Sequence, residues 1–87
     1  MELDTRTSEE KAKPMTFGQE LTGVDFNPAG DDKVKRLKQL AAEMADIVHA
    51  AYLEQPGTRL NGILYQQAIG EILNGQMNAV KLVTNRH

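Results

Sequence analysis

Apolar residues recur at helical spacing along two long segments of this chain. In the first segment they follow one another at steps of 3, 4, 3, 4 and 3 residues, at Val34, Leu37, Ala41, Met44, Val48 and Ala51. Such a heptad-like spacing places these side chains on one face of an amphipathic helix. Leu40 and Ile47 widen that face, so the helix offers more apolar surface than one partner helix covers.

The ends of this first long helix are marked by capping and turn residues. Asp31 or Asp32 is the expected N-cap, because a carboxylate accepts hydrogen bonds from free backbone N–H groups and suits the positive end of the helix dipole. A Pro-Gly pair follows Gln55. We therefore expect the helix to end near Glu54 or Gln55.

A second helical pattern occupies most of the chain after this pair. Its apolar positions are Leu60, Leu64, Ala68 and Ile72, flanked by Tyr65, Ile69, Leu73, Met77, Val80 and Val83. Thr58 is the expected N-cap, and the pattern continues to about Thr84. The short connection predicts that the two long helices form an antiparallel hairpin. Gly62, Gly70 and Gly75 each cost about 1 kcal/mol in an exposed helix, which suggests close helix contacts or a bend.

The segment before the first long helix divides into a polar tail and a short apolar stretch. Residues 1–14 are polar with mixed charges, and we expect them to be disordered. The following residues carry Phe17 and Leu21, whose apolar surface predicts a short helix docked on a larger element. Gly18 and Gly23 are expected to limit the length of this short helix.

Composition bounds the size and class of the protein. A chain of 87 residues has room for one small domain, which we place at residues 15–87 and expect to be all-α, because no strand pattern is present. A core this small needs support, and the absence of cysteine leaves homo-oligomerisation as the expected one. The net charge of −2 argues against a binder of long nucleic acids. No apolar run approaches the about 18 residues of a membrane span, so no membrane partner is expected.

The chain offers little for catalysis. It has no Cys, and its one serine, Ser8, lies in the polar tail, so a serine or cysteine nucleophile is not expected. His49 follows Asp46 by one helical turn, which suits a base and its orienting carboxylate, but a solvated pair is the favoured interpretation. Glu43 with Asp46 is likewise favoured as a wet helix face over a metal site. We therefore expect no enzyme activity, no metal and no cofactor.

A turn with one aromatic residue precedes a cationic helix start. Phe26, Asn27, Pro28 and Gly30 belong to this turn, with Pro and Gly in familiar turn positions. An exposed aromatic ring beside cations suits a planar anion such as a nucleotide. Lys35 and Lys38 share a helix face, and the stem of Lys38 can follow apolar surface while its amine reaches a pocket rim. A solvated face is the alternative, which we favour for Lys33 and Arg36 and, taken alone, for Lys38.

The second long helix ends in a run of amides followed by a lysine. Asn74, Gln76 and Asn78 carry the amides, and Lys81 is the lysine. Amides contact nucleobases through their donors and acceptors, and lysines bind phosphates. The alternative is that Asn74 and Asn78 are surface residues and that Gln76 packs at a helix interface. Tyr52 and Tyr65 flank the connection, and we expect them to pack rather than to stack on a ligand.

Three short motifs, in their order along the chain, resemble those of a known family. They are Leu21-Thr22-Gly23-Val24-x-Phe26-Asn27-Pro28-x-Gly30, Val34-x-x-Leu37-Lys38-x-x-Ala41 and Gln76-Met77-x-Ala79-Val80-Lys81-x-x-Thr84. The chain thereby resembles the bacteriophage anti-CBASS sponges of cyclic nucleotides. These share a helical hairpin with the anti-Thoeris sponges, which sequester cyclic ADP-ribose signals. The resemblance covers the chain from Phe17 to Arg86.

The resemblance implies a fold, a ligand and a partner. The fold is an antiparallel helical hairpin with a short N-terminal helix, which assembles as a homo-oligomer, here a homohexamer. The ligands are cyclic dinucleotides such as cGAMP and cyclic trinucleotides, held without cleavage in the cytoplasm of the infected bacterial host, so that CBASS effectors stay inactive.

The resemblance also implies which residues contact the ligand. Phe26 matches an aromatic residue that stacks on a base in a pocket between subunits, and Lys38 matches a lysine that contacts the dinucleotide. Lys81 matches a cation of a separate trinucleotide site. The expected ligand-binding set is Phe26, Asn27, Pro28, Gly30, Lys35, Lys38, Gln76, Asn78, Lys81 and Thr84.

Two other classes of function remain open at this point. In the first, the protein is a helical adaptor or inhibitor whose apolar face engages a helix of a partner protein. In the second, it is a small nuclease or cyclic-nucleotide hydrolase, against which the lack of a metal-ligand cluster in the sequence argues.

Overall fold

The computed structural model describes residues 14–27, 30–55 and 57–85. Within these ranges the chain forms three α-helices and no strand: α1 is Phe17–Thr22, α2 is Asp32–Glu54 and α3 is Arg59–Thr84. The prediction of an all-α chain is confirmed. The predicted polar tail lies outside the described residues except for Pro14, and so do Pro28 and Ala29 of the predicted turn.

The short helix α1 is capped at both ends. At its start, the Thr16 hydroxyl accepts the Gln19 N–H at 3.2 Å, and the Gln19 side chain accepts the Thr16 N–H at 3.0 Å. At its end, Gly23 takes the left-handed conformation with φ at 66°, which a glycine adopts without steric cost. The predicted docking of a short helix that ends at Gly23 is confirmed.

Helix α1 lies unusually close to α2 at Gly18. A Cβ atom at Gly18 would lie 2.1 Å from the carbonyl oxygen of Ala42, and the Gly18 N–H donates a hydrogen bond of 2.6 Å to Asp46 Oδ1. The carboxylate of Asp46 therefore satisfies one of the free N–H groups at the start of α1. Gly18 serves this close approach, so the prediction that it limits the length of α1 is wrong.

The caps predicted for the two long helices are confirmed. The Asp31 side chain accepts from the N–H groups of Lys33 at 2.8 Å and Val34 at 3.2 Å, and α2 ends at Glu54. The Thr58 hydroxyl accepts the Asn61 N–H at 3.0 Å and starts α3.

The buried face of α2 differs from the predicted apolar face. The buried residues of α2 are Val34, Lys38, Ala42 and Ala45, whereas Met44 of the predicted face is 56% exposed. The reason is α1, which packs against the side of α2 that carries Ala42 and Asp46. The apolar period alone does not show where a separate short helix docks.

Helices α2 and α3 contact one another in opposite order along the chain. Near the connection the Tyr52 and Tyr65 rings stack with their centres 4.3 Å apart, which confirms the predicted packing of these residues. Farther along, Leu37 and Leu40 line an open groove with Gln76 and Ala79. The glycines of α3 lie in more open surroundings than predicted, since within the described residues nothing lies within 4 Å of a Cβ built at position 70 or 75.

The apolar core of the described residues is small. Its buried apolar side chains are Val24, Val34, Ala42 and Ala45, while Ile47 is 70% and Leu82 is 77% exposed. Further exposed large apolar side chains are Leu40, Met44, Leu53, Leu60, Ile63, Leu64 and Met77. A single chain therefore leaves much of the apolar surface of α2 and α3 in contact with water. Among the described residues no helix is long and apolar enough to cross a membrane.

Candidate functional site

One open cavity lies where the end of α1, the turn after it, α2 and the second half of α3 meet. Its volume is about 610 Å³, within the roughly 300–1,000 Å³ typical of small-molecule pockets. It brings together residues that the sequence analysis had placed in three separate motifs. Those residues are Phe26, Lys38, Gln76, Lys81 and Thr84.

The turn after α1 positions the aromatic ring of this cavity. The left-handed Gly23 reverses the chain, and the Phe26 N–H donates to the Gly23 carbonyl oxygen at 2.9 Å. The Phe26 side chain then lies at the cavity wall and remains 45% exposed. An aromatic side chain with this exposure has apolar surface that a flat ligand can cover.

Lys38 stabilises the same turn through hydrogen bonds to its backbone. Its side chain is only 8% exposed, and its ammonium group donates to the carbonyl oxygens of Gly23, at 3.1 Å, and of Phe26. An ammonium group has three donors, so one donor remains after these two contacts. The interpretation of Lys38, taken alone, as part of a solvated face is wrong, because docking of α1 and its turn buries the side chain.

The burial of Lys38 changes its protonation equilibrium. Desolvation lowers the pKa of Lys38 from its ordinary value of 10.5, and the nearby Asp25 carboxylate opposes this by raising it. The protonated form of a desolvated amine gains more from a nearby anion than a solvated one does. The cavity wall therefore carries a cation for which an anionic ligand would compensate the lost hydration.

Helix α3 supplies the opposite wall. Leu73, Met77 and Val80 form its apolar part, and Gln76, Lys81 and Thr84 add polar groups on the same helical face. Lys81 is exposed, and the Thr84 hydroxyl donates to the Val80 carbonyl oxygen at 2.8 Å. From the sequence, the three apolar residues were expected only to pack between helices. Leu73 and Val80 lie three and four residues from Gln76, and this spacing was the signal that they share its side of the helix.

The other predicted contact residues lie apart from this cavity or serve the turn. The Asn27 side chain is 3% exposed, and its amide donates to the Asp31 carbonyl oxygen at 2.8 Å while its Oδ1 accepts the Asp31 N–H at 3.3 Å. Gly30 has φ at 64° and donates to the Asn27 carbonyl oxygen at 3.0 Å. Lys35 and the exposed Asn78 are absent from the lining of the cavity. Pro28 lies outside the described residues.

His49 and Asp46 do not form the pair considered from the sequence. The Asp46 carboxylate accepts the Gly18 N–H, and the His49 ring stacks on Phe17 with ring centres 4.3 Å apart. The carboxylate and the ring therefore make separate contacts, with α1, and both side chains remain partly exposed. In the part of the chain that the structure describes, no group of three or more His, Cys, Asp or Glu residues comes together as a possible metal site.

The arrangement of the cavity suits binding of a flat anion. It combines an exposed aromatic ring, a desolvated ammonium group beneath that ring, an amide and a second lysine. No protein-family model, curated protein or solved structure matches the chain.

Proposed function

We propose that the protein binds cyclic di- and trinucleotide immune signals and sequesters them without cleavage, so that CBASS effectors are not activated. The observation that carries the proposal is the shared cavity of Phe26 and Lys38, with Gln76 and Lys81 on the facing wall. These residues belong to the three motifs through which the chain resembles the anti-CBASS sponges.

The energetics of the cavity support a nucleotide as the ligand. Stacking of a base on an aromatic side chain contributes about 1–3 kcal/mol, and the Phe26 ring is 45% exposed and available for it. The Lys38 ammonium group lies 5.3 Å from the centre of that ring. In a partly desolvated site a phosphate beside this group interacts more strongly than it does in bulk water.

The proposal includes the assembly of the chain. We infer that α2 and α3 are the arms of an antiparallel helical hairpin and that the hairpins form a homo-oligomer, with a homohexamer as the expected size. Exposed side chains such as Ile47, Leu53 and Leu82 supply apolar surface for contacts between subunits. A ligand with two-fold symmetry fits a two-fold interface, since each half meets the same residues.

The same exposed surface favours one alternative function. If the apolar side chains of α2 and α3 engage a foreign helix rather than a second copy, the protein is a helical adaptor or inhibitor. Under the leading proposal the protein acts on small molecules in the cytoplasm of the infected bacterial host. The two functions differ in whether a purified sample takes up a cyclic nucleotide at all.

Calorimetry on the purified protein separates these outcomes. We expect heat on titration with cGAMP or a cyclic trinucleotide, and recovery of the intact ligand after the protein is denatured. Phe26→Ala is expected to weaken dinucleotide binding by about 5- to 150-fold, the equivalent of the stacking contribution. Lys35→Ala, outside the cavity on α2, is the matched control and should bind as the wild type does.

Two results would overturn the proposal. Absence of heat with every cyclic di- and trinucleotide and with cyclic ADP-ribose would exclude sequestration and leave the adaptor. Recovery of a linear product in place of the intact ring would show a hydrolase.

A further inference from the structure

Four polar side chains are buried among the described residues, and Gln76 differs from the other three. The other three belong to Thr22, Asn27 and Lys38. The Thr22 hydroxyl donates to the Gly18 carbonyl oxygen, the Asn27 amide bonds to Asp31, and the Lys38 ammonium group donates to two carbonyl oxygens. Gln76 is 8% exposed, and none of the hydrogen bonds found among the described residues involves its amide.

Buried polar groups in folded proteins are nearly always satisfied, either by protein atoms or by water. The Gln76 side chain lines the cavity that contains Phe26 and Lys38. No polar atom of the described residues is both fully inaccessible and unpaired, so the amide atoms of Gln76 keep some accessible surface. The amide can therefore be reached from the cavity and is placed to bond to a group that enters it.

The chemistry of the amide indicates what that partner is. A glutamine side chain presents one acceptor oxygen and an NH₂ donor side by side. The edge of adenine that carries N7 presents an N6–H donor beside an acceptor, whereas the same edge of guanine presents two acceptors. An amide therefore pairs with adenine through both of its atoms and with that edge of guanine through one.

We propose that Gln76 is the specificity-determining residue of the cavity and that it selects an adenine base stacked on Phe26 by bonding to N6 and N7. This inference rests on the proposed function, since it names the base that the same site prefers. The apolar neighbours Leu73 and Met77 also line the cavity and offer no hydrogen bond of their own, so that a mismatched base leaves one amide atom of Gln76 without a partner on the ligand.

Competition between two symmetric ligands tests the proposal on the full-length protein. We expect cyclic di-AMP to bind at least about fivefold more tightly than cyclic di-GMP, because a matched bidentate pair discriminates by about 5- to 150-fold. Gln76→Met keeps the length of the side chain and removes the amide. It should weaken cyclic di-AMP by a similar factor and bring the two affinities together. Asn78→Leu, an amide removed from α3 outside the cavity, should leave the ratio unchanged.

A ligand analogue keeps the proposal falsifiable even where Gln76→Met folds poorly. Cyclic di-(7-deaza-AMP) lacks the N7 acceptor, and the wild type should bind it at least about fivefold more weakly than cyclic di-AMP. Equal affinity for these two ligands, or a wild type that prefers cyclic di-GMP, overturns the assignment. A Gln76→Met protein that keeps the wild-type ratio of affinities for cyclic di-AMP and cyclic di-GMP also overturns it, whether or not the size of the assembly changes. Failure of all cyclic nucleotides to bind would instead refute the proposed function itself.

Discussion

The Lys38 ammonium group lies 5.3 Å from the centre of the Phe26 ring and also donates a hydrogen bond to the Phe26 carbonyl oxygen. One cation thus contacts both the side chain and the backbone of the aromatic residue. A change at Lys38 therefore acts on the position of the Phe26 ring as well as on the charge of the cavity. The two residues have to be analysed as a unit.

Removal of the Lys38 amine should destabilise the fold. In Lys38→Met the Phe26 carbonyl oxygen loses its donor in a part-buried position, and we expect the free energy of unfolding to fall by about 1–3 kcal/mol. Urea denaturation measures the difference. Lys35→Met, on the same helix, should change it by less than about 0.5 kcal/mol. Equal losses in the two variants would contradict the structural role of Lys38.

The lowered pKa of Lys38 predicts how stability depends on pH. Between that lowered pKa and 10.5 the unfolded chain binds more protons at this residue than the folded chain does. Stability therefore rises with pH through this window, because fewer molecules must keep a proton on a desolvated amine. The free energy of unfolding of the wild type relative to Lys38→Met should increase across alkaline pH and level off above 10.5. A difference that decreases over the same range would show that the hydrogen bonds to the protonated amine outweigh desolvation.

Gly18 and Gly70 should respond to alanine in opposite directions. In Gly18→Ala the new Cβ would lie 2.1 Å from the Ala42 carbonyl oxygen, so α1 must move, at a cost of about 1–3 kcal/mol. Gly70 lies on α3 with nothing within 4 Å of a built Cβ, and Gly70→Ala should stabilise the chain by about 0.5–1 kcal/mol. Thermal unfolding of both variants at several protein concentrations provides the measurement. A destabilised Gly70→Ala would reveal a contact at this position with a second copy.

Lys81→Ala should weaken a bound anion without affecting the fold. Lys81 is exposed at the cavity wall, and the loss of one screened contact with a phosphate should lower affinity by up to about fivefold at low salt and by less at high salt. Calorimetry at two ionic strengths measures this. Lys33→Ala removes an exposed lysine that does not line the cavity and serves as the control. Affinities that respond identically to the two substitutions would argue against a phosphate near Lys81.

The helix ends could be predicted from the sequence because they depend on local chemistry. Asp31 and Thr58 cap the helices through their own side chains, within three residues of their positions. The buried face of α2 could not be predicted, because it depends on where α1 docks. That docking combines the missing Cβ of Gly18 with the Asp46 carboxylate 28 residues later in the chain. Nothing in the spacing of apolar residues marks this pair.

The candidate site was predictable only in part, for the same reason. Helical phase separates Gln76, which faces the cavity, from Asn78, which does not. A sequence containing both amides does not show which of the two points inward. Asn27 lies next to Phe26, yet its amide is used four residues later at Asp31. Asparagine in a turn commonly bonds to nearby backbone groups, and this is the contact that Asn27 makes in place of the expected one with a ligand.

The face-to-face Tyr52 and Tyr65 rings have a practical consequence for experiments on this chain. The sequence contains these two tyrosines and no tryptophan, so its intrinsic ultraviolet emission originates where α2 and α3 meet near their connection. Neither ring lines the cavity beside Phe26. We expect tyrosine fluorescence to report the separation of the two long helices. Binding of a ligand in the cavity does not bring it into contact with either ring, so binding is better followed by calorimetry or by mass spectrometry.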